Sequence, residues 1–173
     1  MSVTIQGSAG VTTNSGAVYN GLQTGTAVSA SGTSVDFTSI PSWVKRITVM
    51  FNGVSTNGSS NVQIQLGSTT FTTSGYTGSV WGTSGTAIGN TNNSTGFFLR
   101  NGWSAALSCD GNVMLCNVSG NTWVESHTQG SSDGNNGGGG GKIALSGILD
   151  RVRITTVNGT DTFDNGTINI IYE

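Results

Sequence analysis

The feature that most limits what this chain can become is a two-residue rhythm. NVQIQLG (61–67) sets Val62, Ile64 and Leu66 on one side, with Gln63 and Gln65 on the other. VKRITVMFNG (44–53) sets Ile47, Val49 and Phe51 against Thr48 and Met50, and GTINIIYE (166–173) aligns Ile168, Ile170 and Tyr172. Successive side chains of an extended chain point to opposite faces, so this alternation predicts half-buried strands. Further strands are predicted at 95–99, 103–109, 112–118, 122–128, 142–149 and 151–158. Turn dipeptides punctuate them: Asn52–Gly53, Asn57–Gly58, Asp110–Gly111, Ser119–Gly120, Asn158–Gly159 and Asn165–Gly166. The one helix-like window, KIALSGILDRVRI (142–154), is interrupted by Gly147, and its branched residues suit strands. Many short strands with Gly and Asn turns predict an all-β sandwich or barrel.

Composition narrows the setting. Glycine fills 28 of 173 positions, about twice its usual share of ~7%. Only 8% of residues are charged and the formal net charge is −2, so the combination of high charge and low hydrophobicity that keeps chains disordered is absent. The expectation is one folded domain with a real core. Lys45–Arg46 and the pair Arg151 and Arg153 are the only basic clusters, and each adjoins a strand-like run. That balance predicts no nucleic-acid partner. No apolar run approaches the ~20 residues that span a bilayer, so no membrane insertion is expected. MSVTIQGSAG has neither the basic nor the apolar segment of a secretion signal. Synthesis in the cytoplasm is therefore expected, with any export by another route such as release of an assembled particle.

Cys109 and Cys116 lie in AALSCDGNVMLCN. A two-residue turn at Asp110–Gly111 pairs Cys109 with Asn112 and Cys116 with Ala105. The sulfurs then sit about 13 Å apart along the ladder, too far for a disulfide. Both are read as small buried hydrophobes. No metal site is expected, since there is no further thiol and a single histidine, His127.

Catalytic patterns fail one by one along GSSDGNNGGGGGKIALSG (130–147). A phosphate-binding loop needs Gly where Asn136 stands and a hydroxyl where Ile143 follows Lys142. GSSDG (130–134) matches G-x-S-x-G, but a glycine tract follows where a nucleophile elbow needs a helix. A calcium loop beginning at Asp133 reaches Ala144 where a bidentate Glu belongs. Asp161 and Asp164 are the nearest candidates for a glycosidase carboxylate pair, although TDTFDNGT reads more simply as a polar loop with its own Asx turns. No cofactor is expected. The glycine run itself reads as a loop tip, either a recognition loop carried by Asp133, Asn135 and Asn136 or an unconstrained surface loop.

Two features point to binding. Trp43, Trp103 and Trp123 read as core, whereas Trp81 stands between glycine-rich flanks. With Tyr76 it is expected to form an aromatic platform for a sugar ring or a partner's apolar patch. Residues 1–30 are Gly-, Ser-, Thr- and Ala-rich, with apolar touches at Val3, Ile5, Val11, Val18 and Leu22. This segment is read as an assembly arm that gains structure on a neighbouring protein, with a poorly ordered leader as the alternative.

SGTSVDFTSIPSWVKRITVMFNGVSTNGSSNVQIQLGS (31–68), SGNTWVES (119–126) and LSGILDRVRITTVNGTDTFDNGTINIIYE (145–173) together resemble a β-rich module of tailed-bacteriophage virion proteins, often placed at the C-terminus of tail fibres. The resemblance covers about residues 31–173, and VTIQGSAGVTTNSGAVYN (3–20) is similar to the lead-in of such modules. It implies a jelly-roll-like antiparallel sandwich, a homotrimer, and a non-enzymatic structural protein of the particle. Its partners are then other virion proteins, either a tail adaptor or fibre or the major capsid protein. As a tail-fibre adhesin it would touch host surface glycan through loops 73–94 and 129–141. As a capsid decoration protein it would clamp the shell through its arm. A glycan depolymerase is a distant third reading. Starting at Met1, the chain is expected to lack a fibre shaft of its own, which favours a tip subunit or a capsid knob.

Overall fold

The computed structural model describes residues 21–105 and 107–173, and within the first twenty residues the strands β1 (Thr4–Gln6), β2 (Gly10–Thr12) and β3 (Val18–Tyr19). These three make a small antiparallel sheet whose ladder bonds, among the described residues, run between β1 and β2 and between β2 and β3. Among the described residues there is no helix, and every strand pairing is antiparallel. The all-β fold expected from the alternation forms, and of the sandwich and barrel alternatives it takes the antiparallel sandwich.

The chain then runs through β4 (Gln23–Thr24), β5 (Val28–Ser29), β6 (Ser34–Thr38), β7 (Arg46–Thr56), β8 (Val62–Ser68), β9 (Thr70–Phe71), β10 (Thr77–Ser84) and β11 (Ala87–Asn92). It ends with β12 (Phe97–Phe98), β13 (Cys109–Ser119), β14 (Thr122–Ser131), β15 (Asn136–Ala144), β16 (Arg151–Thr156) and β17 (Phe163–Tyr172). A nine-stranded sheet has the order β11-β10-β15-β14-β13-β7-β17-β4, with β5 also on β17. A five-stranded sheet has the order β12-β8-β16-β6, with β9 on β8. Between them Ile47, Val49, Val113, Leu115, Ile168 and Ile170 of the large sheet share one core with Val62, Ile64, Leu66, Val152 and Ile154 of the small one. Each such side chain removed from water contributes about 1.5–3 kcal/mol, so this layer carries much of the fold's stability.

Five expectations are corrected. Asp110–Gly111 is not a turn but lies inside β13, where the register against β7 shifts between Cys109 and Gly111 and Asn52–Gly53 of β7 bulges opposite Asp110. Asn52–Gly53 lies within β7 and Asn165–Gly166 at register shifts of β17, so three turn dipeptides line up across neighbouring strands and bend the sheet. Asp110 Oδ1 accepts a bond from Gly53 N at 2.7 Å, tying β13 to β7 across the bulge. The β13–β14 hairpin turns instead at Ser119–Gly120, with Gly120 at φ +51°. Cys109 consequently faces Ser131 and Cys116 faces Val124, and both thiols are free.

Second, the glycine run is no loop tip: Gly137–Gly141 form the middle of β15, paired on both sides. Third, Gln63 and Gln65 are not solvent-facing but 2% and 6% exposed, because the segment around Thr95 folds over them. Fourth, residues 103–105 and 107–108 stay out of the sheets; Trp103 is buried there as an anchor, donating from Nε1 to Thr56 Oγ1 at 2.9 Å. Fifth, the sandwich takes in part of the expected arm, since Gly25 N and Ala30 N donate to Ile170 O (2.7 Å) and Gly166 O (2.9 Å). Leu22 is 60% exposed. Val3 and the side chains of Ile5, Val11 and Val18 lie outside the described residues.

Candidate functional site

A strand of glycines makes sense once its neighbours are considered. A Cβ on Gly139 would stand 2.8 Å from Ser79 O and 3.0 Å from His127 Cε1; on Gly141 it would stand 2.7 Å from Thr77 O and 3.1 Å from Phe97 Cε1. On the inner face these absent side chains leave room for a buried polar layer from β14 and the 93–100 segment. Asn93, Arg100, Glu125 and Gln129 are all 5% exposed or less, and the His127 side chain is 1% exposed. His127 Nε2 lies 2.8 Å from Leu99 O, so that nitrogen donates, and Nδ1 meets Glu125 Oε1. A carbonyl only accepts, so the Nδ1–Oε1 contact holds a proton of its own, shared by the pair. Glu125 Oε2, Gln129 Nε2, Asn93 Nδ2 and Arg100 Nε have no partner in this layer.

On the outer face the same glycines make a floor. Trp81 pairs with Gly138, and a Cβ there would sit 3.2 Å from the indole Cζ2 and Nε1, so the ring lies over the bare backbone. Trp81 remains 37% exposed. The row continues across the sheet as Gly138, Thr128, Asn112, Met50 and Asn169, with Ser79, Gly140, Ser126, Met114 and Thr48 beside it. No charged side chain stands in either row. A shallow depression of about 370 Å³, lined by residues that include Thr48, Asn112, Met114, Ser126 and Thr128, opens two strands from Trp81. The arrangement offers one aromatic face and a run of hydroxyl and amide groups on rigid strands.

Tyr76 does not join that platform. It is 3% exposed and stacks edge-on against Phe97 at 4.9 Å, with its hydroxyl accepting from Leu66 N at 2.7 Å and donating to Thr72 O at 3.1 Å. Burial drives its hydroxyl pKa well above the usual range, against the smaller opposing effect of the Leu66 bond. The pairing of Tyr76 with Trp81 is corrected accordingly.

Asp133, Asn135 and Asn136 form the β14–β15 turn and fasten it to the β10–β11 hairpin. Asn135 Oδ1 accepts from Gly85 N at 2.9 Å, and Asn136 N donates to Thr83 Oγ1 at 2.9 Å. Asp133 accepts from the Ser131 hydroxyl, from Asn135 Nδ2 (2.8 Å) and from Asn135 N (3.1 Å), and these bonds hold its carboxyl far below the ordinary range. Arg100 closes the junction, giving Nη1 to Ser131 Oγ at 2.7 Å and Nη2 to Thr83 O at 2.8 Å, with Asp133 Oδ2 at 3.5 Å. A cleft of about 470 Å³ lies beside it, between Gly82–Gly89 and Arg100–Leu107, with Ile88 74% exposed on its rim. The three polar residues therefore build the scaffold of this end. Arg100 escaped the sequence reading, though a lone basic residue within FFLRNGW is a signal for a buried guanidinium held by hydrogen bonds.

The remaining candidates are placed as follows. Ser131 ends β14 and Ser132 opens a hairpin turn, with no helix following, and Ser132 Oγ accepts from Ser108 N at 3.1 Å. Asp161 accepts from Asn158 Nδ2 at 2.7 Å and Ser60 N at 2.9 Å, while Asn158 Oδ1 takes the amides of Thr160 and Asp161 in an Asx turn. Asp164 takes the Ser55 hydroxyl. Among the described residues no group of three or more His, Cys, Asp or Glu is arranged to hold a metal. Compared with protein-family models, curated proteins and solved structures, the chain finds no match.

Proposed function

We propose that this chain is a non-enzymatic structural protein of a tailed-bacteriophage particle, a trimeric tail-fibre component that meets neutral glycan on the host surface. The observation that carries the reading is Trp81, held flat on a glycine strand beside two outer-face rows that carry no charged side chain. An indole face takes the apolar face of a sugar ring, and the Thr, Ser and Asn side chains of the neighbouring strands take its hydroxyls. Strand-mounted groups lose little entropy on binding, which favours weak ligands presented in many copies. The long phrases similar to phage fibre modules supply the context of the particle. The small sheet of β1–β3, separate from the two sheets of the sandwich, fits an attachment segment that serves either position on the particle.

Gold-labelled antibody against the chain on purified particles tests the reading. Label at the tail is expected, together with a loss of host adsorption in Trp81→Ala particles of about tenfold. Label spread over the head would replace the fibre assignment with a shell-stabilising decoration protein. Particles without label would overturn the viral assignment itself.

A further inference from the structure

The opposite face of the molecule carries a second depression, of about 320 Å³, on the outer side of the five-stranded sheet. Its floor is two rows of cross-strand neighbours. Asp36, Arg153 and Gln65 lie side by side on β6, β16 and β8, and Ser34, Thr155 and Gln63 lie beside them. The buried glutamines belong to this floor. Gln63 Oε1 accepts from Thr95 Oγ1 at 2.8 Å, and Gln65 Nε2 donates to Thr95 O at 2.9 Å, which fixes both amides. Gln65 Oε1 takes no donor among the described residues, although Gln65 lines the depression.

Arg153 is pinned from two sides. Nε and Nη2 donate to the two oxygens of Asp36 at 2.8 and 2.7 Å, and the guanidinium carbon lies 4.0 Å from the centre of the Phe71 ring. Nη1 makes no bond among the described residues, and the side chain is 33% exposed. Thr155 spends its proton on Thr33 O at 2.8 Å, which leaves its hydroxyl oxygen as an acceptor. The site thus offers a spare donor at Arg153 and spare acceptors at Gln65 and Thr155. Arg153 and Gln65 are directly opposed, a relation that sets Cβ atoms about 5 Å apart. Asp36 cancels the charge of Arg153, the one ionic group that lines the depression, so an anion gains no net attraction there.

We propose that this cleft binds a neutral polyhydroxylated ligand, a pyranose that sets two neighbouring hydroxyls between Arg153 and Gln65. One hydroxyl accepts from Nη1 while the next donates to Gln65 Oε1, a division of roles that a vicinal diol supplies and an acceptor-only anion does not. The groups are held by strands, a bidentate ion pair and an aromatic ring, so binding costs them little further ordering. The site lies on the other sheet from Trp81 and does not depend on the adhesin reading.

The test is saturation-transfer NMR on the intact chain with a panel of methyl pyranosides at millimolar concentration. Transfer to at least one pyranoside is expected, weakened about tenfold by Gln65→Leu and by the near-isosteric Thr155→Val, and kept by Trp81→Ala. Thermal melts confirm that each variant is folded, and Thr155→Val keeps the strand geometry should Gln65→Leu fail. Absence of transfer to every pyranoside would overturn the cleft proposal. So would transfer that survives both cleft variants, and transfer that only Trp81→Ala removes would move the sugar to the other sheet.

Discussion

Two halves of one sheet are built on different principles. Around β7, β13 and β17 the inward positions are Ile47, Val49, Phe51, Val113, Leu115, Ile168 and Ile170, facing the aliphatic rows of β8 and β16. Around β14, β15 and β10 the inward positions are Glu125, His127, Gln129 and a file of glycines, facing the segment from Asn93 to Arg100. In the first half stability scales with apolar area and tolerates small changes of shape. In the second it depends on named partners, since a buried polar group that loses its partner costs more than the bond contributed. A single fold can therefore be forgiving on one side and exacting on the other.

The sharpest way to break this comparison is to remove one partner from each half. His127→Leu strands Glu125, 4% exposed, without its proton-sharing neighbour and is expected to cost about 3–5 kcal/mol. Ile64→Val, fully buried in the β8 row that faces the aliphatic half, is expected to cost about 1 kcal/mol. Urea unfolding midpoints at a common slope measure both, and a smaller cost at His127 than at Ile64 would dissolve the distinction. Next in size, Gly139→Ala adds one methyl where Ser79 O stands 2.8 Å away, and about 1–3 kcal/mol should be lost. Neutral behaviour there, in the same urea series, would mean the glycine strand is not tightly seated.

The smallest effect sharpens the polar half at its rim. Bonds from Ser131 and Asn135 lower the Asp133 carboxyl in the folded state, so its stabilising effect is present above the ordinary carboxylate value near pH 4 and is lost as pH falls below it. Exchange protection of the Asn135 amide should hold from about pH 7 to 5 and weaken under about pH 4. Asp133→Asn should remove that dependence; an unchanged profile in the variant would assign the pH response to another group.

What could be read beforehand divides along the same line. The strands of the aliphatic half are legible because burial on one face writes itself as alternation, as in Ile47–Val49–Phe51 and Val62–Ile64–Leu66. The polar half leaves no such trace. Glycine has no side chain to alternate, so β15 looks like a loop, and TGSVWGTS of β10 offers only Val80 and Trp81 as opposed faces. Asp110–Gly111, Asn52–Gly53 and Asn165–Gly166 were misleading because the φ freedom that makes a tight turn also makes a bulge. Trp81 could be singled out from its glycine flanks. Its separation from Tyr76 could not, because the Leu66 and Thr72 groups that hold the tyrosine hydroxyl are brought together only by the β8–β9 pairing.

The glycine strand also raises the matter of alignment. Five identical residues carry no information about which rung each should occupy, and a slip by one would leave their own ladder bonds equally well made. The phase of the strand must therefore be set at its ends. At one end Ile143, 3% exposed, belongs to the core, and a one-residue shift would turn it out into water. At the other, Asn135 and Asn136 are hooked onto Gly85 and Thr83 of the adjoining hairpin. The featureless middle of β15 is thus indexed like a ruler with marks only at its two ends.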